Sequence, residues 1–258
     1  MSIPTFYRVG GCVRDEIINR IWSRDLPADA DVDYAVEAES YDAMKAEIVG
    51  RGGDIKVEKP EFLTIKAKVP ADFIQTNPTD TEMVCDFVMC RSDGAYTDGR
   101  HPDEVTPGTL DEDLERRDFR MNAIAINENK AIIDPHDGWT DIENRVICCV
   151  GSTSKRIEED ALRLLRAFRF SVTLGFHLSL QLQSLLNNHT EFEYREMFRN
   201  VSLERIHQEL TKCFKHNTHG TLLQLADHEA FSAFLFHQSP DDRMPGHHMW
   251  LAPTTKRR

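Results

Sequence analysis

Two aspartates separated by one residue, Asp31 and Asp33, have the spacing in this chain with the most direct chemical meaning. Residues 30–36 alternate as a β-strand does, which predicts that both carboxylates lie on one face of it. Two such carboxylates repel each other unless a cation lies between them. A hard divalent ion such as Mg²⁺ prefers oxygen ligands and also binds phosphates. Taken alone, a pair of this kind is more often a solvated strand face, so its surroundings decide its meaning.

A glycine pair, Gly10-Gly11, ends a predicted strand from Thr5 to Val9 and opens a predicted helix. Glycine lets the backbone approach a phosphate closely, and the N-terminus of a helix offers free N–H groups and positive potential. Arg14 lies in the first turn of this helix and could reach the same anion. The pattern is typical of a phosphate site, and an ordinary glycine turn is the alternative interpretation.

Asp86 is the candidate for a third acidic residue at the same place. It lies in the predicted strand Val84-Cys85-Asp86-Phe87, between apolar neighbours. A single acid in such a strand needs a partner, because an unpaired buried carboxylate is costly. We therefore predict that Asp86 joins Asp31 and Asp33.

Five short motifs follow one another between residues 7 and 215. They are Gly10 to Asp15 with Asp31 to Asp33; Arg116 to Ala123; Asp134-Pro135 with Gly138, Asp141 and Val150-Gly151; Glu159 to Arg163; and Ser202 to Ile206 with Glu209. In this order they resemble the motifs of the class II tRNA nucleotidyltransferase and poly(A) polymerase family, within the polymerase-β superfamily. Five motifs in the expected order are a specific match.

The resemblance implies a role for each motif. Asp31 and Asp33 would bind Mg²⁺, and Asp86 would complete the catalytic acids. The second motif would contact the ribose and the triphosphate, the third would form a hinge between head and neck, and the fifth would stabilise helices of the neck. The metal ions would align a primer 3′ hydroxyl with the α-phosphorus and stabilise the leaving pyrophosphate. The residues expected to bind the nucleotide are Gly10, Gly11, Arg14, Arg117, Asp118, Asn122, Asp160, Arg163 and Arg166.

The fourth motif has the chemistry needed to choose a base. Asp160 and Arg163 are three residues apart on a predicted helix and would share a face. A carboxylate accepts hydrogen bonds and a guanidinium donates them, whereas cytosine and adenine each offer an amine donor beside a ring-nitrogen acceptor. Uracil and guanine present the reverse pattern, which would leave polar groups unpaired. The pair would thus accept C and A, and the competing interpretation is an exposed salt bridge on a helix.

The elements that must position these residues change character near residue 150. Before it, the sequence predicts strands at Ala30 to Val36, Leu63 to Val69 and Met83 to Met89, a helix between Ser40 and Gly52, and a hairpin around Glu128-Asn129. After it, only helical periodicity is evident. The predicted helices are Glu158 to Val172, Leu178 to Asn188, Ser202 to Phe214 and Leu222 to Phe236.

These elements predict an α+β fold in three parts. Residues 1–148 would form a polymerase-β-like nucleotidyltransferase head, with a mixed sheet and helices. Residues 149–215 would form an all-α neck that selects the nucleotide. Residues 216–258 would form a short helical body remnant and a flexible tail.

Composition sets limits on the partners and the compartment. The chain has 258 residues, of which 40% are hydrophobic, and no apolar run reaches the roughly 18 residues of a membrane span. A net charge of −12 argues mildly against a nucleic-acid partner, although a local basic face remains compatible with it. The N-terminus lacks a secretion signal and the six cysteines form no CxxC pair, so we expect a cytoplasmic protein with reduced thiols.

The leading hypothesis is a CCA-adding enzyme that uses CTP and ATP to extend the 3′ end of tRNA. A poly(A) polymerase, or an enzyme that adds only A or only CC, would carry the same motifs. A catalytically inactive RNA-binding relative is the non-enzymatic alternative, and the intact Asp31/Asp33 pair argues against it. The sequence leaves open whether the chain forms a homodimer.

Overall fold

The computed structural model describes residues 3–26, 32–70, 73, 82–93 and 105–236. The chain divides into two compact units, the first ending at Glu159 and the second beginning at Asp160. The divisions after residues 148 and 215 stay predictions. Within the described part of the chain, no helix combines the length and the apolar character needed to cross a membrane.

The first unit combines a central sheet with short helices. Its strands are β1 (Thr5–Val9), β2 (Val32–Glu37), β3 (Asp54–Lys59), β4 (Thr64–Val69), β5 (Met83–Met89), β6 (Arg91–Asp93), β7 (Val105–Pro107), β8 (Ala125–Asn127), β9 (Ile132–Ile133) and β10 (Val146–Ile147). Its helices are α1 (Gly11–Trp22), α2 (Tyr41–Gly50), α3 (Leu110–Glu115), α4 (Gly138–Asn144) and α5 (Thr153–Glu159). Two 3₁₀ turns, Pro60–Phe62 and Arg120–Asn122, complete it.

Seven of these strands form one mixed sheet in the order β3-β4-β5-β2-β1-β8-β9. The pairing of β2 with β5 is parallel, and the other neighbours are antiparallel. The predicted alternation of β2 is confirmed, since Val32, Tyr34 and Val36 are all buried. Their face of the sheet carries stacked aromatic rings, with the centroids of Tyr34 and Phe87 5.1 Å apart.

The two faces of the sheet are covered differently. Helix α1 packs against β1 and β2 and buries Val13, Ile17 and Ile18. The opposite face carries a separate apolar cluster that includes Val9 and Ala35. Helix α3 covers that face near β2. The residues of β2 that follow Asp33 are thus sandwiched, which fixes the strand that carries a predicted metal ligand.

Most predicted elements of the first unit are confirmed. The side chain of Ser40 caps α2 by accepting a hydrogen bond from the Ala43 amide at 3.2 Å. The hairpin is formed by β8 and β9. Strand β3 and helix α3 were not predicted. The residues of β3 are almost all exposed at the sheet edge, so β3 lacks a buried apolar stripe.

The second unit is helical apart from the two-residue strand β11 (His177–Leu178). Its helices are α6 (Leu162–Leu174), α7 (Leu180–Asn187), α8 (Glu191–Met197), α9 (Leu203–Ala226) and α10 (Glu229–Phe236). Helix α6 packs along α9. Around the buried ring of Phe231, the centroids of Phe168 and Tyr194 lie at 6.0 and 5.0 Å.

Two helix predictions are wrong in their bounds: the helix predicted from Glu158 to Val172 is divided near its start, and the helix predicted from Leu222 to Phe236 begins within α9 and continues as α10. The sequence predicted one helix from Glu158 to Val172, whereas α5 ends at Glu159 and α6 begins at Leu162. The break leaves Asp160 outside both helices. Helix α9 continues to Ala226, beyond its predicted end, across a kink at Asn217 where φ is −155° and ψ is 91°. Helix α8 was not predicted.

Candidate nucleotide-binding site

The turn between β1 and α1 brings the first and second motifs together. Gly10 has φ 77° and ψ −138°, a conformation that residues with a Cβ rarely adopt. A Cβ at this position would lie 3.3 Å from Nη1 of Arg117 and 3.5 Å from Oδ2 of Asp33. A guanidinium and a carboxylate therefore flank the glycine turn, as the assignment of Gly10, Asp33 and Arg117 to one site requires.

The sheet places two of the three predicted catalytic acids side by side. Asp33 on β2 and Asp86 on β5 are register partners of a parallel pair. Adjacent strands are about 4.8 Å apart, so the two side chains are neighbours on one face. On the far side of Asp86, Lys66 of β4 is its cross-strand partner, and its Nζ lies 2.9 Å from Oδ2 of Asp86. Asp31 lies outside the described residues.

A buried hydrogen-bond network joins Arg14 to the second motif. Nη1 of Arg14 donates to Oδ1 of Asn122 at 2.9 Å, and Nδ2 of Asn122 donates to Oδ1 of Asp118 at 2.9 Å. Nε of Arg14 donates to Oδ1 of Asp15 at 2.8 Å. Arg14 and Asn122 are 9% and 6% exposed. Helix α1 and the Arg120–Asn122 turn are thereby fixed against each other. A Cβ on Gly11 would lie 3.7 Å from Nη2 of Arg14.

The sequence motifs do not include the side chain that holds Arg117. Asp113 on α3 accepts hydrogen bonds at Oδ2 from Nε and Nη2 of Arg117, at 3.2 and 3.0 Å. Its Oδ1 accepts from Arg116, with Nε at 3.1 Å. Burial by itself raises the pKa of Asp113, but the charges and hydrogen bonds of Arg117 and Arg116 outweigh it and hold this pKa below its ordinary value.

Residues of the third motif hold the Arg120–Asn122 turn in place. The carboxylate of Asp134 accepts from the amides of Gly138 and Trp139, both at 2.8 Å. A Cβ on Gly138 would lie 2.1 Å from the Arg120 carbonyl oxygen, so only glycine permits this approach. Arg120 in turn makes a bidentate pair with Asp141, at 2.8 and 2.6 Å. In the first unit, then, these residues act as a structural brace beside Asn122.

The donor set beside the glycine turn suits a hard divalent cation. The carboxylates of Asp33 and Asp86 supply oxygen ligands, which such cations prefer. Among the described residues, which exclude Asp31, no group of three or more histidine, cysteine or acidic side chains is close enough to form a metal site. The chemistry of the residues therefore fits a magnesium ion, and the ligand set of Asp31 and Asp33 stays a prediction.

In the second unit, Asp160 is held by a residue that the sequence did not pair with it. Its Oδ2 lies 2.6 Å from Nη2 of Arg205, and its Oδ1 accepts from the Leu162 amide at 3.1 Å. The expectation that Asp160 and Arg163 lie on one helix is wrong, because Asp160 precedes α6 and Arg163 lies within it. Cζ of Arg166 lies 5.7 Å from the ring centroid of Phe170.

The fifth motif connects α9 to α6 through an ion pair. Glu209 is 4% exposed and forms ion pairs with Arg169 and with Lys212, whose Nζ lies 2.9 Å away. Burial raises the pKa of Glu209, but the charge of Arg169 and the hydrogen bonds from Lys212 and Arg169 leave it below its ordinary value. Arg205 and Glu209 thus connect this motif to residues before and within α6, which agrees with the helix-stabilising role expected for it.

Curated relatives and solved structures resemble this chain over most of its length. The CCA-adding enzyme of Geobacillus kaustophilus is 37% identical over 207 residues, which are 80% of this chain and 44% of that protein. The CCA-adding enzyme of Lactobacillus delbrueckii is 36% identical over 208 residues, 80% of this chain and 45% of that protein. The chain therefore spans about half the length of the curated relatives it matches.

The structural comparison points the same way. The Bacillus stearothermophilus CCA-adding enzyme in complex with CTP aligns with a TM-score of 0.67 and 29% identity, covering 91% of this chain and 49% of that one. A tRNA nucleotidyltransferase in complex with a primer tRNA and an ATP analogue aligns with a TM-score of 0.66 and 24% identity, covering 92% of this chain and 61% of that one. At this level of identity the likeness is evidence for the fold only. The family model of the poly A polymerase head domain matches residues 6–148, more than half of the sequence, and the chain therefore belongs to the poly A polymerase head domain family.

Proposed function

We propose that this chain transfers CMP and AMP from CTP and ATP to the 3′ end of tRNA without a template and releases pyrophosphate. The observation that carries the proposal is the convergence of Gly10, Asp33 and Arg117, since it joins a backbone turn, a carboxylate and a guanidinium from two separate motifs. The family membership and the relatives named CCA-adding enzyme support it.

The first unit offers an anion site suited to a triphosphate. Helix α1 begins at Gly11, so its first amides are available to a bound phosphate. Arg117 adds positive charge next to Gly10, while Arg14 is fixed behind the turn by Asn122. Asp118 and Asn122 would then meet the ribose.

Asp31, Asp33 and Asp86 are the residues proposed to hold Mg²⁺. When bound, the metal ion supplies charge stabilisation to the attacking and leaving oxygens of the transfer. Lys66 bonds Asp86, so one part of that carboxylate is already neutralised and oriented. The positive charge of Lys66 reduces the repulsion between the neighbouring acids Asp33 and Asp86.

The second unit is proposed to select the base. A carboxylate has about four lone-pair positions, and Asp160 uses three of them for Leu162 and for both terminal nitrogens of Arg205. One position on Oδ2 therefore remains for the exocyclic amine of C or A. Arg163 would donate to the ring nitrogen, and Arg166 would add a second cation near the nucleotide.

In the deciding experiment, the chain is incubated with a tRNA lacking its terminal CCA and with CTP, ATP and Mg²⁺, and the product is sequenced. Addition of CCA supports the proposal, whereas addition of only A or only CC identifies a partial adding enzyme. Long A tails on unrelated RNA would identify a poly(A) polymerase. RNA binding without incorporation would favour an inactive relative. A cytoplasmic location and a homodimer also remain inferences, and light scattering tests the second.

A further inference from the structure

Asp113 is a buried acid that neither the sequence motifs nor the proposed chemistry uses. It is 1% exposed and lies on α3. Its two oxygens are divided between two guanidiniums, with Oδ1 bonded to Arg116 and Oδ2 to Arg117. One carboxylate thus holds two guanidiniums.

We propose that Asp113 is a positioning residue that fixes the guanidinium of Arg117 at the glycine turn and thereby sets the affinity for the nucleotide triphosphate. This role rests on the proposed function. It acts through Arg117, which lies beside Gly10, and does not involve contact between Asp113 and the nucleotide.

The hydrogen bonds of Arg117 explain why its orientation matters. A guanidinium has five N–H donors. Two of them bond Asp113, and one on Nη1 bonds the Asn122 carbonyl oxygen at 3.3 Å. Within the described residues, one donor on each terminal nitrogen has no further partner. The two bonds to Asp113 prevent rotation of the plane, so these donors keep a fixed direction at the turn.

Helix α3 is itself anchored to the strand that carries Asp33. The amide of Leu110 donates to Oε1 of Glu37 at 2.6 Å, and the hydroxyl of Tyr7 donates to Oε2 of the same residue at 3.0 Å. Glu37 lies on β2, four residues after Asp33. A capping box of Thr109 and Glu112 fixes the first turn of the helix. Asp113 therefore has a rigid support whose position is set relative to Asp33.

A double-mutant cycle on the full chain tests this role, with the equilibrium Kd for CTP in the presence of Mg²⁺ as the readout. We expect Asp113→Asn to weaken CTP binding about tenfold, a typical coupling for residues in one network. In an Arg117→Gln background the same change should have no further effect. In an Arg116→Gln background it should keep its full effect. Asp111→Asn, on an exposed position of α3, is the matched control and should bind CTP normally.

A merely structural role would give a different pattern. An unchanged Kd for Asp113→Asn, or an equal loss with and without Arg117, would overturn the proposal. If Asp113→Asn does not fold, Asp113→Glu keeps the charge and enters the same cycle with the same expected dependence on Arg117. Failure of the unsubstituted chain to bind CTP would overturn the proposed function, and this role with it.

Discussion

Replacement of Gly10 by alanine places a methyl group where the first two motifs meet. The backbone there has φ 77° and ψ −138°, in the region that glycine alone occupies at little cost. Holding another residue in such a region costs about 1–3 kcal/mol. We therefore expect the free energy of unfolding of the first unit to fall by about 2 kcal/mol, the middle of that range.

The added methyl group also has neighbours. It would lie 3.3 Å from Nη1 of Arg117, closer than most contacts of a Cβ, and 3.5 Å from Oδ2 of Asp33. Because Arg117 is held by two bonds to Asp113, it cannot move aside freely. Gly10→Ala should therefore weaken CTP binding in addition to lowering stability.

Gly11→Ala is the matched control, since it adds the same methyl group one residue later. Its Cβ would lie 3.7 Å from Nη2 of Arg14, an ordinary van der Waals distance. Gly11 is also the first residue of α1, where alanine has the higher helix propensity. We expect this variant to be at least as stable as the unsubstituted chain.

Thermal unfolding and CTP titration measure the two effects separately. A loss of about 2 kcal/mol in a unit of this size lowers Tm by about 4–8 °C. Equal Tm values for Gly10→Ala and Gly11→Ala would refute the argument from backbone strain. Normal CTP affinity in a folded Gly10→Ala chain would refute the argument from crowding at Arg117.

Three further predictions concern charged side chains of both units. Asp33→Asn should keep the fold and lower kcat by about 10³-fold or more, because a metal ion stabilises such a transition state by several kcal/mol. The control variant Asp54→Asn, on the exposed edge strand, should transfer nucleotides normally. Full activity of the Asp33→Asn variant would exclude Asp33 as a metal ligand. Arg163→Ala should lower kcat/KM for both CTP and ATP by the equivalent of about 1–3 kcal/mol. Asp160→Ala should raise kcat/KM for UTP or GTP relative to that for CTP. Unchanged kcat/KM ratios among the four nucleotides would mean that neither residue reads the base. The pKa of Glu209 lies below its ordinary value of 4.5, so its charge stabilises the fold above that value and this stability is lost as the pH falls through the lowered pKa. Glu209→Gln should therefore lower the free energy of unfolding by about 3 kcal/mol at pH 7 and by progressively less below pH 4.5. Glu204→Gln, at an exposed position, is the control. A loss of stability that does not depend on pH would contradict the reasoning.

The parts of the site that the sequence could predict depend on local patterns. The β1 strand, the glycine turn and α1 follow from residues within one short segment, and the alternation of β2 follows from residues 30–36. The placement of Asp86 beside Asp33 is different. It depends on the parallel register of β2 and β5, which no local pattern encodes. An acid among apolar neighbours suggested Asp86, and only the sheet shows which residue it meets.

Helix α3 was missed because it is too short to show apolar periodicity. A signal for it was nevertheless present, since Thr109 and Glu112 have the spacing of a capping box. Asp113 precedes Arg116 and Arg117 by three and four residues, which is the spacing of side chains that meet on a helix. Read together, these patterns would have predicted both the helix and the pairing of its buried acid.

The break at Asp160 could not be read from its own segment. The helical pattern continues through the break, with Ile157, Leu162 and Leu165 all buried. What stabilises the turn is Arg205, which is 45 residues away in the sequence. An acid three residues before an arginine predicts an i,i+3 pair, and here a distant arginine takes its place.

The net charge of −12 does not by itself exclude the proposed anion site. Electrostatic influence between exposed groups fades over about 8 Å at physiological salt, so the groups beside the glycine turn decide its potential. There Asp15 neutralises Arg14, but Asp113 is shared between Arg116 and Arg117. The guanidinium of Arg117 and the N-terminus of α1 therefore lie at the turn together with the carboxylate of Asp33. An acidic chain can thus place an arginine at a proposed anion site, because one of its acids holds that arginine in position.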